Sequence, residues 1–464
     1  MAKIRSDTLI QILRTQPRIH AAALRTQLGE ISRATLSRTV KALGAHIISG
    51  GGSKRTRYAL RRALRGDTLD MPIYRIDTSG QGQLIAQLSP TYPTGCHLSF
   101  IADYLWAFDA NMRDGWFEGL PYPIYDMRPQ GFLGRHFAKT HATQLQLADN
   151  PDAWADDDIL YALMQMGYDQ PGDLIIGDTA YQLFLTTRNL AKTTPINDDE
   201  IALSYPDLAQ LAMMQGIAGS SAGGEFPKFS ALRIINQRAQ HVIVKFSAAG
   251  TSPAIQRWSD LLVCEHIATR TLNDTLKIPA TQTNIHQHAN RTFLEISRFD
   301  RHHEYGRSPV CTLASINPAL IGKTTDWRHS ARALQVLGWL AEHDVNQINR
   351  AWWFGKLIAN TDMHDGNLAF RPGLQLAPIY DMLPMMYAPA NSGEVPTPIY
   401  QIALPLPTEL ATWQQAATAA IGYWHDCARD TRISANFRAI CRTNCDSLTN
   451  SLANIKPTAA PTRI

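Results

Sequence analysis

The chain has 464 residues, of which 45% are hydrophobic and 18% are charged, and this balance excludes an intrinsically disordered protein. Its six scattered cysteines exclude a disulfide framework and do not suggest a zinc site. The length fits two or three domains at about 150 residues each. Because no secretory signal and no apolar run of about 18 residues is present, a cytoplasmic location is expected.

The first predicted domain, residues 1–66, carries most of the positive charge. It holds 14 lysines and arginines against Asp7 and Glu30, a net charge of +12 in a chain whose total is +4. Hydrophobic spacing predicts three helices followed by a hairpin around three glycines, residues 50–52, which is the pattern of a winged helix-turn-helix.

DNA is the expected partner of this domain, because cations pair with phosphates and short polar side chains reach base edges. The contacts are predicted from the third helix and the wing, through Arg33, Thr35, Ser37, Arg38, Lys41, Lys54, Arg55 and Arg57. Two alternatives stay open. The cations could merely solvate a small helical domain, and a wing also occurs in protein-interaction modules.

The middle of the chain is predicted to mix short strands with helices. Residues 67–150 alternate short apolar stretches with glycine and proline, which predicts a small β-containing domain. Residues 151–300 are predicted to form the N-terminal lobe of an enzyme, and they include a segment rich in glycine and serine over residues 216–228. Glycines let backbone N–H groups approach phosphate oxygens, although a flexible linker has the same composition.

Lys245 follows that segment in a predicted strand, residues 241–246, among strongly apolar neighbours. In kinases a glycine-rich loop is followed by a strand that presents a lysine to the α- and β-phosphates of ATP. The plain alternative is a solvent-exposed strand lysine.

Residues 301–455 are predicted to form a helical lobe that contains a catalytic loop. Asp362 and Asn367 have the D-x-x-x-x-N spacing of kinases, in which the aspartate accepts the substrate hydroxyl proton and the asparagine coordinates Mg²⁺. A predicted hairpin over residues 368–377 returns the chain to Asp381, a second candidate metal ligand. Alternatively, Asp362 and Asp365 cap a turn and Asp381 is a surface acid. Residues 456–464 are predicted to be a disordered tail.

Six short segments, taken in order, resemble the HipA family of serine/threonine kinases of bacterial toxin–antitoxin systems over about residues 67–450. They are residues 128–135, the glycine-rich segment, residues 242–245, residues 297–301, residues 360–364 with Asn367, and residues 380–381. The resemblance implies an α+β, bilobal protein-kinase-like fold that follows the winged helix-turn-helix. It also implies ATP, Mg²⁺ and phosphorylation of a protein serine or threonine, with growth inhibition as the consequence.

The same resemblance implies roles for individual residues of the nucleotide site. Lys245 would hold the α- and β-phosphates, and His364 would lie near the phosphates. Ser297 and Phe299 match positions whose backbone groups bind adenine. Gly223 and Gly224 would belong to the loop over the phosphates.

Two assignments within the resemblance stay open. Ser221 matches a loop serine that family members autophosphorylate, but an altered sequence before the following lysine leaves Ser220 as a second candidate. The acidic partner of Lys245 falls near Asp260, with Glu265 a turn later, and the sequence does not choose between them.

The expected partners are a protein substrate and DNA, and no membrane. A separate antitoxin and a homodimer are open alternatives for further partners. Two other functions stay in competition with the protein kinase. One is a small-molecule kinase, which shares an Asp and an Asn in a similar loop. The other is a transcription regulator whose kinase-like body only senses nucleotide.

Overall fold

The computed structural model describes residues 2–190, 194–215 and 226–455, without the side chains of residues 2–5 and 215. The chain divides into two compact units, one of residues 1–129 and 141–192, the other of residues 130–140 and 193–464. The predicted loop residues Ser220, Ser221, Gly223 and Gly224 lie outside the described residues, as does the predicted tail. Among the helices that the structure describes, none combines the length and the apolar character that a bilayer crossing requires.

The first unit begins with a small module of three helices and an antiparallel sheet. Its elements are α1 Ala2–Thr15, β1 Ile19–His20, α2 Ala21–Gln27, α3 Arg33–Leu43, β2 Ile47–Gly50 and β3 Arg57–Leu60. The sheet order is β1-β3-β2. Apolar side chains spaced along the helices, Leu9, Leu13, Leu24 and Leu36 among them, form its buried core. Ser32 caps α3 by accepting from the Thr35 backbone N–H at 3.1 Å.

The rest of the first unit is built around a five-stranded antiparallel sheet of order β7-β6-β5-β4-β8. Its elements are β4 Met71–Ile76, β5 Gly82–Pro90, β6 Cys96–Phe100, α4 Ala110–Arg113, β7 Trp116–Phe117, α5 Tyr122–Tyr125, α7 Asp156–Met166, β8 Leu174–Ile176 and α8 Asp178–Asn189, together with the last five residues of the helix numbered α6, Gly131–Leu145, whose residues 131–140 belong to the second unit. Since β8 pairs with β4, the predicted boundary at residue 150 would divide one sheet, and the observed division comes later in the chain.

The second unit starts with α9 Ile201–Gln215, which covers one face of a four-stranded antiparallel sheet of order β11-β12-β10-β9. Its elements are β9 Lys228–Ile235, β10 Arg238–Phe246, α10 Pro253–Asp274, β11 Thr283–His288 and β12 Arg291–Ser297. Strand β10 alternates buried apolar residues, Val242, Val244 and Phe246, with residues that face the other side of the sheet. Lys245 belongs to that other side.

The remainder of the second unit is mainly helical. Its elements are β13 Arg301–His302, β14 Gly306–Arg307, β15 Cys311–Thr312, α11 Leu313–Leu320, α12 Trp327–Val336, α13 Glu342–Leu357, β16 Ala369–Arg371, β17 Gln375–Leu376, α14 Leu410–Arg429 and α15 Ala435–Asn454. Strands β16 and β17 are the hairpin predicted after the catalytic loop. The architecture is mixed α+β, as the sequence predicted.

Candidate active site

Lys245 and Glu265 form a buried ion pair between β10 and α10. The Lys245 ammonium donates to both carboxylate oxygens of Glu265, at 2.8 and 2.9 Å, and both side chains are at most 6% exposed. Side chains of β10 alternate between the two faces of the sheet, so Lys245 points away from the apolar face that α9 covers. This geometry excludes the solvent-exposed strand lysine.

Asp260, the other candidate partner of Lys245, is used elsewhere in the same unit. Its two carboxylate oxygens accept from the backbone N–H and the hydroxyl of Ser434, at 2.7 and 2.6 Å, at the start of α15. The structure therefore assigns Glu265 as the partner of the lysine and gives Asp260 a structural role.

Asp381 reaches the same lysine from the segment that follows the hairpin. Its carboxylate accepts a second, short hydrogen bond from the Lys245 ammonium. The segment is anchored by Ile379, which donates to Pro279 at 2.8 Å and accepts from Thr281 at 3.0 Å. The surface-acid alternative for Asp381 is thus excluded.

The electrostatics of the three charged groups follow from this arrangement. Burial alone would lower the pKa of Lys245, but the Asp381 and Glu265 carboxylates raise it above its usual value. Burial would raise the pKa of Asp381, but Lys245 and then Lys228 lower it. Burial raises the pKa of Glu265, and the lysine only partly opposes this effect. Lys245 stays protonated and Asp381 stays ionised at neutral pH.

The catalytic loop begins where α13 ends. Ala359 has a left-handed backbone, φ 59°, and its N–H bonds to Lys356 while the next N–H bonds to Gly355, which is the Schellman arrangement of a helix C-terminus. This turn directs the side chain of Asn360 into the interior, where it is 2% exposed. The helix thus ends at Leu357, and the residues that follow it form the turn.

Asn360 joins the two functional loops of the site. Its carboxamide oxygen accepts from the Asp362 backbone N–H at 2.9 Å, and its Nδ2 donates to the Asp381 carbonyl at 3.2 Å. Asp381 itself has φ 56°, a left-handed conformation that costs about 1–2 kcal/mol for a residue other than glycine. This role of Asn360 was not predicted, although its place two positions before Asp362 was a usable signal.

Asp362 and Asn367 are joined by a hydrogen bond, which bears on their predicted roles. The Asn367 Nδ2 donates to the Asp362 carbonyl at 2.8 Å, and Asn367 is 6% exposed. The Asp362 carboxylate is 54% exposed, so a substrate hydroxyl can reach it. Because Nδ2 is engaged, the carboxamide oxygen of Asn367 is the atom that remains for a cation.

The other predicted residues of this loop are placed as follows. His364 accepts from the Gly366 N–H at 3.1 Å through Nδ1, and its Nε2 lies 3.9 Å from the Asp362 carboxylate. Asp365 accepts from Asn317 at 2.8 Å, so this carboxylate supports the loop from behind. The side chain that caps this turn is therefore His364, whereas the Asp365 carboxylate bonds to Asn317 of α11.

Ser297 and Phe299, the predicted adenine-binding positions, follow directly from β12. Ser297 pairs with Val242 of β10, and the Phe299 ring lies 6.1 Å from the ring of Tyr380. Tyr380 in turn donates to the Gly366 carbonyl at 2.7 Å. The end of β12 is therefore adjacent to the segment that carries Asp381.

The donor groups fit the cofactors expected from the sequence. A carboxylate on Asp381 and a carboxamide oxygen on Asn367 are hard oxygen donors of the kind that Mg²⁺ takes, together with water and phosphate oxygens. A protonated, buried lysine is a phosphate-binding charge. The described part of the site thus has the chemistry to hold a nucleoside triphosphate with its metal ion and to receive a proton from a hydroxyl group.

Comparisons with known proteins identify the family of the chain. A family model described as "YjjJ-like toxin, middle domain" matches residues 67–185, and one described as "HipA-like C-terminal domain" matches residues 220–450. In a structure of HipA, HipB and operator DNA from the toxin–antitoxin system of Shewanella oneidensis MR-1, the matching chain has a TM-score of 0.51 at 14% identity. The match covers 83% of this chain and all of that one, and shows the fold alone.

A full-length relative carries the assignment further. Toxin YjjJ of Escherichia coli (strain K12) is 36% identical over 441 residues, which is 94% of this chain and 95% of that protein. The unmatched 6% of the chain is too short to contain the whole N-terminal module, so the similarity includes at least part of it. The chain therefore belongs to the YjjJ family of HipA-like toxins.

Proposed function

We propose that the chain is an ATP-dependent kinase that phosphorylates a serine or threonine of a cellular protein and thereby inhibits growth. The observation that carries this proposal is the Lys245 ammonium held between Glu265 and Asp381. Kinases require a strand lysine paired with a helix glutamate, next to a metal-binding aspartate. Membership of a kinase-like toxin family supports the same function.

Each residue has a defined role in this proposal. The Asp362 carboxylate accepts the proton of the substrate hydroxyl, and Lys245 binds the α- and β-phosphates. Asn367 and Asp381 hold Mg²⁺, which when bound neutralises charge on the phosphates. His364 lies near the phosphates, and backbone groups of Ser297 and Phe299 bind adenine.

Replacing the proposed base tests the enzymatic function. Asp362→Asn removes the proton acceptor without changing the size of the side chain, so phosphate transfer to protein should fall by at least about 100-fold. Transfer of radiolabelled phosphate to proteins of a cell lysate measures it. Asp274→Asn, at the exposed end of α10, is the matched control and should retain activity. Near-wild-type transfer by Asp362→Asn would refute the assignment.

The two competing functions give different results in the same assay. A small-molecule kinase would transfer phosphate to low-molecular-weight alcohols and leave the lysate proteins unlabelled. A nucleotide-sensing regulator would bind ATP and transfer no phosphate. Labelled protein that depends on Asp362 supports the protein kinase against both.

Autophosphorylation belongs to the proposal through the family resemblance. Ser221 or Ser220 would be the modified serine, and the modification would inactivate the enzyme. Mass spectrometry of the purified protein, before and after incubation with ATP, identifies the site. Ser221→Ala and Ser220→Ala, made separately, decide which serine carries the phosphate.

DNA binding is the remaining part of the proposal. We infer that the N-terminal module is a winged helix-turn-helix, with α3 as recognition helix and the β2–β3 hairpin, residues 47–60, as the wing. The arrangement of α2, α3 and the sheet supports it. The HipA relative was solved with HipB and operator DNA, and here a DNA-binding module would be part of the toxin chain itself. A separate antitoxin stays a further candidate partner.

A further inference from the structure

The exposed side of α3 carries a cationic surface, called here the α3 face, formed by Arg33, Ser37, Arg38 and Lys41. At 3.6 residues per turn these positions share one side of the helix, and all four are exposed, while Leu36 is buried on the opposite side. Within the described residues no ion pair involves its three cations, and α3 contains no acidic residue. The α3 face is therefore available to a polyanion.

Thr35, which the sequence placed among the DNA contacts, is not part of the α3 face. Its hydroxyl lies 3.0 Å from the Ser32 hydroxyl, within the N-terminal cap of the helix, and it is only partly exposed. The side chain thus belongs to the cap, and the DNA contact predicted for it is not favoured.

The wing differs from α3 because its arginines are already paired. Arg55 lies 3.2 Å from the largely buried carboxylate of Asp114. Arg57 donates to Asn111 and to His20, both at 3.1 Å. Asn111 lies in α4, and Asp114 is the residue directly after the end of α4. Both residues therefore belong to the five-stranded part of the same unit.

Apolar and backbone contacts hold the wing in the same place. Ile48 and Ala59 of the wing form a buried cluster with Trp116 of β7. The wing backbone approaches so closely that a Cβ added at Gly50 would lie 2.1 Å from Nε2 of the buried His97. Packing of this density is that of a protein interior.

The chain directly after the wing continues this attachment. Arg61 pairs with Asp70, and Arg62 pairs with Asp157. The Tyr92 N–H donates to the Leu60 carbonyl at 2.8 Å. Much of the positive charge between residues 55 and 65 is thus balanced within the protein, and a phosphate beside the wing would face the carboxylate of Asp114.

We infer that duplex DNA is bound through the α3 face, and that Arg55 and Arg57 of the wing serve to fix the module to the rest of its unit instead of contacting DNA. This inference rests on the DNA-binding part of the proposed function and adds which surface makes the contact. Each cation that neutralises a phosphate contributes about 0.9 to the slope of log affinity against log salt. The three cations of the α3 face should therefore account for a slope of about 2 to 3.

The test is the affinity of the full-length chain for a fluorescent duplex of about 20 base pairs of mixed sequence, measured by anisotropy between about 50 and 200 mM salt. The α3 variant is Arg33→Ala with Arg38→Ala and Lys41→Ala, and the wing variant is Arg55→Ala with Arg57→Ala. A charge-matched control removes three exposed cations of the second unit, by Lys277→Ala, Lys323→Ala and Arg332→Ala.

The α3 variant should bind about 10- to 100-fold more weakly at the lowest salt, with a slope reduced by about 2 to 3. The wing variant should keep its affinity within about 2-fold and melt at a lower temperature, because it loses contacts within the unit. The control should keep both properties. Phosphate transfer and circular dichroism in the same preparations show that each variant is folded.

Two results would overturn the inference. One is an α3 variant that binds as tightly as the wild type. The other is a folded wing variant that loses affinity to the same extent as the α3 variant. If the wild type itself does not bind the duplex at the lowest salt, the DNA-binding part of the proposed function fails as well. The wild-type measurement thus distinguishes a failure of DNA binding from a failure of the α3-face inference alone.

Discussion

Asn360 offers the sharpest test of how the two loops of the active site are held. Asn360→Ala deletes the acceptor for the Asp362 N–H and the donor to the Asp381 carbonyl, at 2.9 and 3.2 Å. A buried group left without its partner costs about 1–3 kcal/mol. Both bonds are only partly buried, so about 1–2 kcal/mol applies to each and the two together amount to about 2–4 kcal/mol. The left-handed backbone of Asp381, φ 56°, is one of the features that this bond helps to hold.

That free energy converts directly into rate if the bond positions the reacting groups. Since about 1.4 kcal/mol is a factor of ten, kcat for phosphate transfer should fall about 30- to 1,000-fold. KM for ATP should change by less than about 3-fold, because Asn360 bonds to backbone groups and not to Lys245. Steady-state kinetics with a fixed protein substrate separate the two constants.

Asn360→Asp refines the test. A carboxylate still accepts from the Asp362 N–H but repels the Asp381 carbonyl, whereas a protonated carboxyl can donate to it. The activity of this variant, relative to the wild type, should therefore recover as the pH falls. A purely structural role would not produce that profile.

The matched control is Asn444→Ala, which removes another buried asparagine whose Nδ2 donates to Tyr387 at 2.8 Å. It should lower the melting temperature and leave kcat within about 3-fold. If Asn360→Ala behaves like this control, with lower stability but intact kcat, the positioning argument is wrong.

Three further outcomes follow from other parts of the structure. Glu265→Gln removes the carboxylate that holds the β10 lysine and should raise KM for ATP by at least about 10-fold in an ATP titration. Burial would raise the pKa of Glu295, but side-chain hydrogen bonds lower it from 4.5 to about 2. The lowered pKa of Glu295 therefore contributes about 3 kcal/mol to the free energy of unfolding. This contribution is complete above the pKa of the unfolded chain, 4.5, and is lost as the pH falls towards about 2. Urea unfolding between about pH 6 and 3 should therefore show a flatter pH dependence for Glu295→Gln than for the wild type. Gly50→Ala should destabilise the first unit by about 1–3 kcal/mol, because its methyl group would overlap His97. Gly52→Ala, which has no neighbour within 4 Å, should leave the melting temperature unchanged.

Local patterns were sufficient to predict the central elements of the candidate site. The apolar alternation around Lys245 and the five-residue interval from Asp362 to Asn367 are both local, and strand, loop and hairpin formed as expected. Asp381 was found because a tight hairpin returns the chain to its starting point. These features depend on neighbours only a few residues away.

The partner of Lys245 could not be predicted, for a geometric reason. Asp260 and Glu265 are five residues apart on one helix, so their side chains point about 140° away from each other. Which of the two carboxylates faces β10 depends on how α10 packs. Asp260 bonds instead to Ser434, which lies 174 residues later in the chain. Long-range packing of this kind leaves no local signature.

The roles of the wing arginines were hidden for the same reason. Their sequence neighbours include few acids, which suggested free cations, yet Arg55 pairs with Asp114 and Arg57 donates to Asn111, 54 residues further along the chain. The domain boundary at residue 150 was misplaced relative to the sheet because the partner of β8 lies about 100 residues earlier, in β4. Charge counting within a segment does not register such pairs.

The sharing of Lys245 between two carboxylates makes nucleotide affinity a competition. In this conformation the protein's own Asp381 carboxylate engages the ammonium that phosphate oxygens would otherwise bind. Binding free energy is therefore reduced by whatever the Lys245–Asp381 bond contributes. A ligand that draws Asp381 away from Lys245 therefore increases the affinity of Lys245 for phosphate. By thermodynamic reciprocity, phosphate bound to Lys245 increases the affinity of Asp381 for that ligand by the same factor.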